Sequence, residues 1–325
     1  MDASRSWRSL SAVPPSGLTS RDARLFVIAS GVGSFGLGVA AFYLNFVYRA
    51  LGFDELAIGA LAAAQAIGGV AGAWPALRSR TYSRRASILA GGVVVAAGVV
   101  GVVITESLVA QLLAAALLGL GGIVVYASGS ALIADATTHG DRPRRFGQQI
   151  AIGTIAAFLA AYVAGILAAP VAASLGVAAG SLLTVRALVA LGGIIAAASA
   201  LPILLVRAAP VLRGAVDAPL RRDLLLRFGI VELTFGFGAG SFLPFTNLFF
   251  ADRFALDFGA IGLALGAIAV GGSLGALLHG IHVAPRLGQL RSVVVVQLLS
   301  LPFAIVAGVV PVAIAAAAAL MIRAG

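Results

Sequence analysis

Glu232 is the one acidic residue inside a long apolar stretch of this chain. An ionisable side chain at the centre of a bilayer costs about 2.5–3.5 kcal/mol and usually faces a cavity or a partner. Glu232 stands five residues past Arg227, roughly 7–8 Å into an apolar layer at about 1.5 Å per residue. It either snorkels to the near surface or lines a path as a proton or cation site. At helical spacing it shares a face with Gly236, Leu243 and Asn247. Arg323 lies in the last apolar block, roughly 18 Å past its start and within a few ångströms of the depth of Glu232. Asn45 falls on one helix face with Gly31, Gly38 and Arg49, and Asn247 matches it in the second part of the chain. Such a pair of asparagines serves either as substrate contacts or as an interhelical hydrogen bond. Tyr126 and Ser130, with Gln148 and Gln149, are weaker pathway candidates. Gln65 shares a face with Gly69 and Gly72, which suits contact with a neighbouring helix. Tyr43, Tyr48 and Tyr162 read as interfacial belt residues or pocket walls.

Motifs of enzyme chemistry fail on context. Gly31-Val-Gly33-Ser-Phe-Gly36 satisfies G-x-G-x-x-G, but no strand precedes it, so close helix packing is the reading. Gly271-Gly272-Ser273-Leu274-Gly275 satisfies G-x-S-x-G without the strand, turn and His/Asp partners of a nucleophile elbow. His139, His279 and His282 lie near loops and lack metal-ligand spacing. The chain has no cysteine. No enzyme, metal site or cofactor is expected.

The elements that must hold these residues follow from composition. Of 325 residues, 61% are hydrophobic and 10% charged, against about 45–50% and about 25% in soluble domains. This excludes a soluble enzyme, a disordered chain and a coiled coil, and makes the bilayer the solvent. Blocks long enough to span it run at about 25 to 48, 56 to 77, 86 to 105, 108 to 134, 147 to 169, 182 to 206, 225 to 250, 258 to 279, 292 to 309, and from 311 to the end. Pro170 and the small-residue run through Gly176 predict the turn between the fifth and sixth. The expected fold is an all-α polytopic membrane protein of about ten helices.

All 22 basic residues are arginine, for a net charge of +10. Eighteen lie in the amino-terminal tail or in loops after even-numbered spans, and only Arg49, Arg186 and Arg253 lie in the opposite loops. This predicts a cytoplasmic amino terminus and an inner-membrane location. Short scattered arginine loops without groove-reading partners exclude nucleic-acid binding.

The chain also repeats itself. Arg21-Asp22 recurs as Arg222-Asp223, Phe35-Gly36-Leu37-Gly38 as Phe235-Gly236-Phe237-Gly238, and Asn45 as Asn247. Ala57-Ile58-Gly59 recurs as Ala260-Ile261-Gly262, and Gly68, Gly69 and Gly72 as Gly271, Gly272 and Gly275. Six spans separate the copies, so the halves are parallel.

With these features the sequence resembles the major facilitator superfamily. The family's loop after span 2, G-x-x-x-D-R-x-G-R-R, is matched by Gly72, Arg78, Arg80, Arg84 and Arg85, with Ala76 at the acid's position. The second copy has Gly275, His279 at the acid's position, Arg286 and Arg291. Both copies lack the acid that the family uses in gating. Asp135-Ala-Thr137 followed by Arg144-Arg145-Phe146-Gly147 resembles the family's connection between spans 4 and 5. Two parallel six-helix repeats are implied, the second incomplete because the chain stops within the tenth span. The boundaries expected are a tail at 1–24, a six-helix bundle at 25–206, a cytoplasmic linker at 207–224 and a four-helix bundle at 225–325. In the family spans 7 and 10 line the central cavity, which implies a Glu232–Arg323 ion pair. The function implied is secondary transport of a small solute by alternating access, with proton coupling through Glu232. The alternative is a truncated membrane protein with a structural role.

Overall fold

In the computed structural model, residues 18–78, 83–138, 141–207 and 242–324 are described, with Ile230 and Gly240 as isolated positions. The described residues form helices joined by short turns: α1 (Ser20–Ala50), α2 (Glu55–Arg78), α3 (Arg84–Ile104), α4 (Leu108–Asp135), α5 (Arg142–Leu175), α6 (Leu182–Ala198), α7 (Ala200–Leu204), α8 (Thr246–Phe254), α9 (Phe258–Leu278), α10 (Ala284–Leu287), α11 (Gln289–Val309) and α12 (Ala313–Ala324). A 3₁₀ turn, Leu243–Phe245, leads into α8, and a π turn, His279–Val283, follows α9. Among the described residues seven helices are long and apolar enough to cross a membrane, and Val294–Val309 and Ala313–Arg323 are shorter apolar ones. The chain is a multi-pass membrane protein. Most of the expected seventh span lies outside the described residues.

Helix starts carry their own caps. Ser83, Ser107 and Ser181 accept hydrogen bonds from the backbone N–H three residues on, satisfying donors that lipid would leave bare. The Asp22 carboxylate accepts from Thr19 at the start of α1 and from the Arg207 backbone N–H at 3.0 Å, tying that end of α1 to the residue after α7.

The predicted turn at Pro170 is corrected. The helix α5 runs through Pro170 to Leu175 and closes at Gly176, whose φ is +67°. Proline removes one helical hydrogen bond, which a membrane helix tolerates where neighbours support it; the left-handed glycine makes the stop. The sixth span breaks at Ser199, between α6 and α7.

Small residues set the packing, as they must where lipid supplies no hydrophobic drive between helices. A Cβ on Gly36 of α1 would lie 2.8 Å from Ala196 Cα of α6, and one on Gly121 of α4 would lie 2.7 Å from the Val95 nitrogen of α3. The two glycine motifs of α1 and α9 are therefore helix-packing surfaces. Gly33 faces Ser199, and Gly271 faces Met321 of α12.

Candidate functional site

The repeated asparagines meet. Asn45 Nδ2 donates to Asn247 Oδ1 at 2.9 Å and to the Pro244 carbonyl, while Asn247 Nδ2 donates to the Phe42 carbonyl at 2.9 Å. Each amide thus reaches the carbonyl three residues before the other asparagine. That reciprocity is the signature of an isologous contact about a two-fold axis. One turn on, Arg49 forms a two-pronged ion pair with Asp252, Nη2 to Oδ2 at 2.7 Å. Together these bonds clamp the last turns of α1 against α8 at the arginine-poor end of the helices.

An aromatic and glycine seam backs the clamp. Phe42, Tyr43 and Phe46 of α1 surround Phe258 of α9, with ring centroids 4.8–6.4 Å apart, within the range where edge-on aromatic pairs attract. The helices α5 and α9 cross at Gly165 and Gly262, where a Cβ on either would stand 3.0–3.1 Å from the other's Cα. Tyr43 and Tyr48 are buried, and the Tyr43 hydroxyl donates to the Ala164 carbonyl. They are core residues of this closure, not interfacial belt residues. Tyr162 is half-exposed and stacks with Phe158.

Toward the arginine-rich end α1 and α3 to α7 line a cavity of about 730 Å³. It runs from Leu37, Val99 and Gly193 at mid-helix to Phe26, Phe146 and Ile203 near the helix ends. Tyr126 and Gln149 line it, and Tyr126 is 64% exposed. Ser130, one turn beyond Tyr126, is half-buried. Gln148 instead accepts a hydrogen bond from Arg145 Nη1 at 2.9 Å. The exposed Gln65 presents its backbone to Gly119 of α4.

The loop-motif residues at the arginine-rich end are structural anchors. Gly72 lies against Leu120 and Ile123 of α4. Arg84 Nε pairs with Asp135 Oδ2 at 2.9 Å, and Arg85 Nη1 donates to the Val206 carbonyl. In the second copy, Arg286 Nη1 donates to the His282 carbonyl, Arg291 is exposed, and Gly275 lies within α9. His279 opens the π turn with its Nε2 buried and without a hydrogen-bond partner among the described residues. Arg78 ends α2. Arg323 is half-buried on α12, and its Nε is enclosed without such a partner among the described residues. Arg80, His139 and Glu232 lie outside the described residues.

Sequence reasoning missed Asp252 and the cavity. Asp252 stands 203 residues after Arg49, the same lag as the Ala-Ile-Gly and glycine repeats. A search for opposite charges at that lag, rather than for identical residues, finds it. The turn that follows also repeats at this lag: Asp54 caps Ala57 N at 2.8 Å and Asp257 caps Ala260 N at 2.7 Å, each two residues after a left-handed position, Gly52 or Ala255.

Two solved structures are similar to this chain in fold. A mutant of the nucleoside transporter NupG superposes with a TM-score of 0.70 at 14% identity, over 93% of this chain and 79% of that one. A bacterial homologue of the human lysosomal transporter Spinster, in an inward-facing and occupied conformation, gives 0.66 at 18% identity, over 93% and 70%. The chain has the major facilitator fold. No protein-family model and no curated sequence matches it. Within the major facilitator fold, the clamp joins the first helix of one repeat to that of the other. The Gly165–Gly262 crossing joins the fifth helix of the first repeat to the second helix of the next.

Proposed function

We propose that this protein is a secondary transporter that moves a small solute by alternating access, captured with its arginine-poor end closed. The carrying observation is the reciprocal Asn45–Asn247 clamp with the Arg49–Asp252 pair beside it. Bonds that join equivalent helices of two repeats at one end are what a rocking motion of those repeats must break. The arginine distribution supports a cytoplasmic amino terminus and an inner-membrane setting, so the clamp is the external gate. On this reading residues 25–206 and 225–325 are the moving bundles and 207–224 their linker. Glu232 carries the coupling proton, and Arg323 is its ion-pair partner. Arg84, Arg85 and Asp135 brace the cytoplasmic end.

The test exploits a chain without cysteine. The pair Asn45→Cys and Asn247→Cys, reconstituted in proteoliposomes, is cross-linked with a short bis-methanethiosulfonate while a panel of solutes is assayed with and without a pH gradient. Flux that stops on cross-linking and returns with reductant supports the proposal; flux indifferent to the cross-link overturns it. Glu232→Gln is expected to abolish the dependence on the pH gradient, and unchanged coupling rejects the role of that carboxylate.

A further inference from the structure

Glycine in a membrane helix is ordinarily explained by the neighbour it lets in. Gly36, Gly72, Gly91, Gly98 and Gly121 each have a neighbouring helix where a Cβ would stand. Gly92, Gly122 and Gly153 do not. They lie on three different helices, α3, α4 and α5; among the described residues nothing falls within 4 Å of an added Cβ at any of them, and all three line the cavity of about 730 Å³. Each is less favourable in a helix than alanine by about 1 kcal/mol, so three of them facing one void preserve room rather than contact. The wall is otherwise apolar, with hydroxyl and amide groups from Ser30, Ser34, Tyr126, Gln149, Thr154 and Ser199, and no described lining residue is an acid or an arginine. A charged ligand would lose its hydration there with no opposite charge among the described lining residues to replace it. An apolar body with one or two hydrogen-bonding groups finds both of its needs met, the usual chemistry of a small-molecule pocket.

We infer that this cavity binds an uncharged, amphipathic organic molecule. That such molecules are also the cargo rests on the transporter reading above. The probe is benzophenone, uncharged and photoreactive, compared with the anion 4-benzoylbenzoate on the full chain in nanodiscs, with labelled peptides mapped by mass spectrometry. Benzophenone is expected to label the α3–α5 wall saturably, and benzoylbenzoate roughly tenfold less or weaker. Gly122→Leu and Gly153→Leu fill the void and lower that labelling by a similar factor. Gly147→Leu, equally open but outside the cavity, leaves it unchanged. Equal labelling by both probes, labelling untouched by both filling variants, or a co-purified phospholipid that those variants release would overturn the inference. Benzophenone efflux from proteoliposomes separates the two readings. Site-specific labelling without efflux of any solute keeps the binding site and rejects transport, whereas flux of charged solutes without labelling rejects the binding site and keeps transport.

Discussion

Asn45 and Asn247 hold each other across the two repeats, amide nitrogen to amide oxygen at 2.9 Å, with each amide also bonded to the other strand of the clamp. Asn247 is buried, so its bonds are not traded for water when broken. Removing one partner leaves the other's polar group in apolar surroundings, at about 1–3 kcal/mol. Asn45→Ala and Asn247→Ala are each expected to lower thermal stability by that order. The double variant loses less than the sum, with a coupling of about 1 kcal/mol. Thermal unfolding of the four proteins in detergent measures the cycle, and strict additivity would sink the claim of reciprocity.

Arg49 and Asp252 are a different kind of bond, because their side chains are 37% and 53% exposed. Exposed pairs contribute about 0–1 kcal/mol, so Arg49→Ala barely moves the unfolding temperature. Its effect falls on the closed end. In an Asn45→Cys background, reaction with a membrane-impermeant thiol reagent speeds up in Arg49→Ala. High salt has the same effect on the parent, since the screening length shrinks from about 10 Å at 0.1 M to about 3 Å at 1 M. The swap Arg49→Asp with Asp252→Arg restores protection.

At the α5–α9 crossing there is no space for a side chain. A Cβ on Gly262 would stand 2.5 Å from the Ala161 carbonyl oxygen. Gly262→Leu therefore forces the two helices apart, and overpacking of this kind costs about 1–3 kcal/mol or more. Among the described residues the repeat-equivalent Gly59 meets only the Phe245 ring edge at 3.8 Å, so Gly59→Ala is tolerated. Yield of monodisperse protein and melting temperature distinguish the two; equal behaviour would contradict the packing described.

Ala255 holds φ at +50°, a left-handed position that its repeat-equivalent Gly52, at +83°, occupies without a Cβ. Left-handed backbone costs an L-residue roughly 1–2 kcal/mol. Ala255→Gly is expected to stabilise the protein by about 1 kcal/mol, read as a rise in melting temperature. A fall would mean that the alanine methyl is needed there.

Much of the fold was legible because lipid imposes one rule, unbroken helices of apolar residues, and apolar blocks are visible in a sequence. Helix α4 begins and ends within a residue of its block, and α9 likewise. Asn45 and Asn247 were visible as a repeat, but their bond was not, since a repeat says which residues are equivalent and not whether equivalents touch. The helix α5 continues past Pro170 because a membrane helix tolerates proline, and of the run expected to turn only its last residue, Gly176, holds the conformation that ends a helix. For Tyr43 and Tyr48 the sequence leaves belt and pocket wall open, because a tyrosine's sequence neighbours do not reveal burial or, for Tyr43, the Ala164 carbonyl on another helix. The cavity was beyond reach for the same reason. Gly36 and Gly122 are both small residues in apolar runs, and only the arrangement of neighbouring helices separates a glycine that admits a helix from one that faces space.

The Arg49–Asp252 pair joins residues 203 positions apart, which dictates an order of assembly. At a synthesis rate of roughly 5–20 residues per second, Asp252 emerges about 10–40 s after Arg49. Within that interval α5 and α6, against which α1 packs, are themselves made, while Arg49 still lacks its carboxylate. The ion pair is therefore a late acquisition, able to close only once the helices before Arg207 exist, and before α9, α11 and α12 are complete.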